Sequence, residues 1–61
     1  MVQVVEYGEN IGTLMNLFLD EKEAMKFAKT IMDYSAEEYT CIGSRQWYCA
    51  RKNEYVKVEI L

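Results

Sequence analysis

The stretch DEKEAMKFAKTIMDY, Asp20 to Tyr34, decides the fold. Ala24, Phe27, Ala28 and Ile31 recur at helical spacing, continued by Ser35 and flanked by Met32 and Tyr34. Lys22, Lys26, Lys29 and Asp33 fall on the opposite side. That pattern predicts an amphipathic helix of about fourteen residues, ~21 Å long. Asp20 suits the N-cap, and Glu23 three residues on has capping-box spacing. Glu21 and Glu23 also suit the positive end of the helix dipole. The helix should end near Tyr34. Ser35 to Glu38 carries its own capping-box spacing, which allows one short extra turn.

On both sides of this stretch the apolar period falls from about 3.6 to two. Residues 2–7 (VQVVEY) and 13–19 (TLMNLFL) read as two strands joined by a turn between Gly8 and Gly12. Pairing Val4 with Met15 and Val2 with Leu17 places those four on one face and Val5, Leu14 and Phe18 on the other. A slip of one residue would exchange the faces of the second strand. After the helix, residues 39–51 return to β character, with Gly43 either a bulge in one strand or a break between two. Lys52-Asn53 reads as a two-residue turn, because Asn tolerates positive φ. Residues 54–61 (EYVKVEIL) then alternate cleanly. This turn pairs Cys49 with Val56, Trp47 with Val58 and Arg45 with Ile60. Trp47, Cys49, Val56, Val58 and Ile60 then share a face.

The expected architecture is α+β: a two-layer ββαββ domain over residues 1–61. Its sheet has four antiparallel strands in the order 2-1-3-4, with one helix on one face. A helix covers only one side of a sheet. The other side would show Val5, Leu14, Phe18, Tyr48, Ala50 and Tyr55 among Gln3, Asn16, Gln46, Lys57 and Glu59. Apolar and aromatic groups concentrated on an open face mark a surface for another chain. The partner-binding residues expected from this reading are Phe18, Tyr48, Tyr55, Lys57, Leu14 and Val5. The partner is a larger protein that this chain modulates or inhibits, or a second copy forming a homodimer over the open face. A first hairpin in the slipped register would instead send Leu14 and Phe18 towards the helix and leave a monomer with scattered surface apolar groups.

The chain has 61 residues, of which 51% are hydrophobic, so it is too apolar for a disordered tail and too short for more than one small domain. It contains no histidine and no proline. No Gly-rich phosphate loop, nucleophile elbow or Cys–His pair is present, so the chain reads as non-catalytic. Glu37 and Glu38 are neighbours in sequence and read as a solvated pair. Cys41 and Cys49 stand as C-x7-C, a spacing that fits no common zinc or redox motif, and read as free thiols. No metal, cofactor or small-molecule substrate is expected. The N-terminus has no basic region leading an apolar run, and nothing approaches membrane-spanning length. The expectation is a cytoplasmic chain with no membrane partner. The start at Met1 and the end within a strand suggest a complete short gene product. Size and acidity suggest, by analogy, an inhibitor or adaptor of the phage or mobile-element kind.

Charge supplies the competing reading. The net charge is −3. Residues 1–42 carry three lysines against eight carboxylates, while residues 43–61 carry Arg45, Arg51, Lys52 and Lys57 against only Glu54 and Glu59. These cations, with Trp47, Tyr48 and Tyr55, could form a nucleic-acid surface on the last hairpin. Against this stand the acidic whole and the placement of Trp47 on the core side. A structural homo-oligomeric subunit is the third reading.

Overall fold

The computed structural model describes residues 1–61. Six elements follow one another: β1 (Val2–Gly8), β2 (Gly12–Phe18), α1 (Glu21–Tyr34), β3 (Thr40–Gly43), β4 (Gln46–Cys49) and β5 (Glu54–Ile60). The α+β class matches the sequence reading. The sheet, however, has five strands in the order β2-β1-β5-β4-β3, every neighbouring pair antiparallel. No helix is long and apolar enough to cross a membrane.

The helix forms where the apolar spacing places it. The backbone N–H of Glu23 donates to Asp20 Oδ1 at 2.8 Å, which fixes the N-cap. At the other end, the N–H of Ser35 donates to the Ile31 carbonyl at 3.2 Å. Ala36 then turns the chain out with a left-handed φ of 60°. Ala24 and Ala28 are fully buried and bring the helix close to the sheet, against Val2, Val4, Val56 and Val58. Each fully buried valine contributes on the order of 1.5–3 kcal/mol. Phe18, Phe27, Ile31, Met32 and Trp47 pack around this centre, partly buried.

The expected strand order was wrong because the last strand, not the one after the helix, sits beside β1. β5 offers Val56 and Val58, and its register sets Val58 opposite Val4 and Ile60 opposite Val2. Both strands thus line one core face. β3 has four residues, all exposed, and has nothing comparable to bury. It takes the outer edge. From β2 to β3 the chain must cross four strand spacings, ~19 Å. The helix carries the chain over β2, β1 and β5, and residues 35–39 complete the passage to the far edge. The break at Gly43 is real: β3 and β4 are separate strands, and their register shifts between Cys41 and Gly43.

The first hairpin also departs from expectation by one residue. Val2 faces Phe18, Val4 faces Asn16 and Gly8 faces Gly12. Glu9, Asn10 and Ile11 form a three-residue loop, and Gly12 follows it with φ of +71°. A residue in the left-handed region after a short loop is the usual device for an odd-numbered hairpin connection. The slip is the alternative register: it moves Leu14 and Phe18 to the helix side, but it brings Met15 and Leu17 to the open side in their place, so that side keeps its apolar corner. In the last hairpin the pairing is Cys49 with Glu54 and Trp47 with Val56, across a four-residue connection rather than the expected two-residue turn. The change is two residues, so every side chain keeps its face. Asn53 does take a positive φ, 50°.

Candidate docking face

The helix packs on β1, β5 and part of β2, and leaves one side of the sheet bare. The strand registers arrange that side in three rows. Leu17, Gln3 and Glu59 form the first; Met15, Val5, Lys57 and Gln46 form the second. Thr13, Tyr7, Tyr55, Tyr48 and Thr40 form the third.

The third row is an aromatic ladder. The Tyr7 and Tyr55 rings stack at 4.9 Å with 12° between their planes. The Tyr48 and Tyr55 rings meet at 4.7 Å, tilted by 37°. Gln46 Nε2 donates to the Tyr7 hydroxyl at 3.2 Å, and the Tyr48 hydroxyl donates to Asn53 Oδ1 at 3.2 Å. Lys57 Nζ stands 5.8 Å from the centre of the Tyr7 ring. Lys57 also pairs with Glu59 at 3.1 Å, and Gln3 Nε2 donates to Glu59 Oε1 at 2.6 Å. The Gln3 hydrogen bond and the Lys57 bond and charge hold the Glu59 carboxyl below the usual carboxylate range. The polar and aromatic groups are therefore held in place before any partner arrives, which lowers the ordering cost of binding. Met15 and Leu17 supply an apolar corner beside them, and Val5 is buried beneath this layer.

Of the expected partner-binding residues, Tyr48, Tyr55, Lys57 and Val5 lie together on this face. Phe18 and Leu14 do not. Phe18 packs against Phe27 on the helix side, ring centres 5.1 Å apart, and Leu14 lies on that same side near the sheet edge. The sequence reading missed Tyr7, Met15 and Leu17. Tyr7 was within reach, since it shares the parity of Val5 in β1. Met15 and Leu17 needed the loop length.

The four cations proposed for a nucleic-acid surface are each matched to a carboxylate. Arg45 Nε lies 2.9 Å from Glu21, Arg51 Nε 3.5 Å from Glu37, Lys52 Nζ 3.4 Å from Glu54, and Lys57 as described. The hydrogen bond and charge of Glu21 raise the Arg45 guanidinium above its ordinary value. The basic end seen in the sequence is thus largely neutralised by folding. The tyrosines, moreover, turn their faces to one another rather than outward.

A second polar group lies on the helix side. Glu54 is buried, and its partner is Lys52. Glu6 shares that side; partial burial, and then the charge of Glu54, push its carboxyl up, against a smaller pull from Lys52. Desolvation pulls Lys52 down, but the fields of Tyr39 and Glu54 outweigh it and leave it raised. Cys49 is buried and Cys41 exposed, both free. A shallow hollow of about 260 Å³ runs along the helix flank, lined by Glu23, Lys26, Phe27 and Thr30. Comparison with known proteins finds no matching family model, no matching curated protein and no matching solved structure.

Proposed function

We propose that this chain is a non-catalytic interaction module that binds and modulates a larger protein through the open face of its sheet. The observation that supports this is the pre-ordered row Tyr7–Tyr55–Tyr48, edged by Lys57 and Gln46 and continuous with Met15 and Leu17. Tyrosine suits such a role because its ring is apolar and its hydroxyl polar, so it loses little on leaving water. The nucleic-acid reading is less favoured, since Arg45, Arg51, Lys52 and Lys57 are ion-paired within the fold. Inhibition, rather than delivery or scaffolding, is inferred by analogy from the small size and acidity of the chain.

The test is affinity capture from cells of the source with three forms of the full chain. The natural sequence should recover a protein in near-stoichiometric amount. Tyr48→Asp with Lys57→Glu should lose it, and Lys29→Glu on the outer side of the helix should keep it. Recovery that is indifferent to the face variant, or recovery of nucleic acid alone, overturns the reading.

A further inference from the structure

The docking face leaves β2 unexplained. This strand is one edge of the sheet, bonded only to β1, and all of it but Phe18 is exposed. Edge strands are ordinarily guarded by shortness, bulges, charges or proline, because their free N–H and C=O groups invite another strand. The opposite edge, β3, has two of these guards: it is four residues long, and its register is broken by a bulge. β2 has none. Its seven residues run in unbroken register with β1, and no charged residue or proline occurs from Asn10 to Leu19.

The sequence of β2 also points to what occupies the edge. Leu14-Met15-Asn16-Leu17-Phe18 has the same chemical pattern read in either direction: two apolar residues, an amide, two apolar residues. A symmetric partner makes full use of such a pattern, because each apolar residue then meets an apolar residue and the amide meets an amide. We propose that β2 pairs antiparallel with β2 of a second copy, about a two-fold axis at Asn16, to give a continuous ten-stranded sheet. This proposal goes beyond the function proposed above: it rests on the backbone edge of β2 and shares only Met15 and Leu17 with the open face.

In that pairing Leu14 meets the partner's Phe18 and Met15 meets the partner's Leu17. Asn16 meets its own copy, and an amide can both donate to and accept from another amide. The side-chain period of two keeps each face continuous across the junction. On the helix side Leu14 and Phe18 come together, and on the open side Met15 and Leu17. These residues need cover: Leu14 is 49% exposed, Met15 63% and Leu17 58%. The helix does not obstruct the approach. It lies mainly over β1 and β5, and the hollow at Glu23, Lys26, Phe27 and Thr30 leaves room along its flank. No charge faces a like charge within the paired strands. A contact of one strand per copy belongs at the low end of interface size, below about 1,200 Å², the class of weak, reversible associations.

Sedimentation equilibrium on the full chain from about 1 to about 500 μM tests this, a span suited to weak, reversible association. The natural sequence should pass from monomer to dimer. Asn16→Lys sets two ammonium groups against each other at the axis, and should raise the dissociation constant at least about tenfold. Because Asn16 is exposed, the fold should not change, nor should the melting temperature at concentrations where the natural chain is monomeric; only the rise in melting temperature with concentration should be lost. In a Cys41→Ser background, Asn16→Cys should form a disulfide-linked dimer on oxidation, while Thr40→Cys at the other edge should not. A folded chain that stays monomeric throughout, an Asn16→Cys variant that does not cross-link, or a dimer that survives Asn16→Lys but is lost with Tyr48→Asp overturns the proposal. The last result would place the contact on the open face.

Discussion

Tyr55 stacks on Tyr7 at 4.9 Å, and the opposite flank of its ring meets Tyr48 at 4.7 Å, so one residue of β5 ties together β1 and β4. These contacts lie on the side of the sheet that has no helix. They therefore contribute stability that the thin core cannot. An aromatic pair adds about 0.5–1.5 kcal/mol beyond its buried area. Tyr55→Ala removes two such pairs as well as the buried area of the ring, and should cost at least about 1–3 kcal/mol in urea denaturation. Tyr48→Ala, which removes one, should cost less. A double-mutant cycle between Tyr7 and Tyr55 should show a coupling of about 0.5–1.5 kcal/mol, and simple additivity would show that the stack does not stabilise.

Gly8 and Gly12 face each other at the ends of β1 and β2, yet they are glycine for different reasons. A Cβ on Gly8 would stand 2.7 Å from the Asn53 carbonyl oxygen and 2.7 Å from Glu54 Cγ, because β5 begins hard against it. A Cβ on Gly12 would touch nothing, but the residue sits at φ of +71°. Gly8→Ala should cost about 1–3 kcal/mol by forcing β5 away. Gly12→Asn should be nearly neutral, since Asn accepts the left-handed region. Thermal melts of the two variants give the comparison directly. Equal losses would mean that β5 can yield at Asn53 and that only the turn matters.

The helix and its cap were legible in the sequence, because the signals for them are local: Asp20, Glu23 and the apolar spacing from Ala24 to Ile31. The alternation of Val56, Val58 and Ile60 was equally plain, and it survived a two-residue error in the turn because parity was preserved. The first hairpin was not so protected. There the choice between facing Val4 with Met15 or with Asn16 depended on whether Gly12 belonged to the loop, and both faces of β2 are apolar enough to accept either. Strand order was not legible either. Local pattern says that β5 and β1 are strands, but only competition for the centre of the sheet says that they are neighbours. For the docking face, Tyr48, Tyr55, Lys57 and Val5 could be read from parity within one strand. Tyr7 shares the parity of Val5 and was legible in the same way; its stacking on Tyr55 comes from a cross-strand register that the sequence does not display.

The helix ends on a residue poorly suited to its backbone. Ala36 takes a left-handed φ of 60° directly after the cap at Ser35. That conformation costs an L-residue with a Cβ roughly 1–2 kcal/mol, and glycine is the usual occupant. Glycine also loses more entropy on folding, which offsets about 0.4–1 kcal/mol of the gain. Ala36→Gly should therefore stabilise the protein by about 0.5–1 kcal/mol, seen as a rise of a few degrees in melting temperature. A lower melting temperature would mean that the chain at Ala36 relaxes out of the left-handed region at little cost.

Glu6 works against the fold at neutral pH. Partial burial and the nearby charge of Glu54 hold its carboxyl above the usual range in the folded chain. A raised pKa means that the native state binds the proton more tightly than the unfolded chain does. The favourable contribution is therefore complete below the ordinary carboxylate pKa and is lost as pH rises through the raised value. Glu59 has the opposite sign. Gln3 and Lys57 hold it low, so its contribution is present above the ordinary pKa and disappears as pH falls through the lowered one. Glu6→Gln removes the first effect alone. It should stabilise the protein at neutral pH, by less than about 1 kcal/mol once solvent screening of a partly exposed group is allowed for. The gain should shrink as pH falls towards the carboxylate range and vanish below it. Glu59→Gln should instead destabilise at neutral pH and make no difference in acid. Urea melts of the natural chain and the two variants at neutral and acid pH separate these signs. A Glu6→Gln gain that persists undiminished in acid would mean that the amide packs better than the carboxyl, and that charge is not the cause.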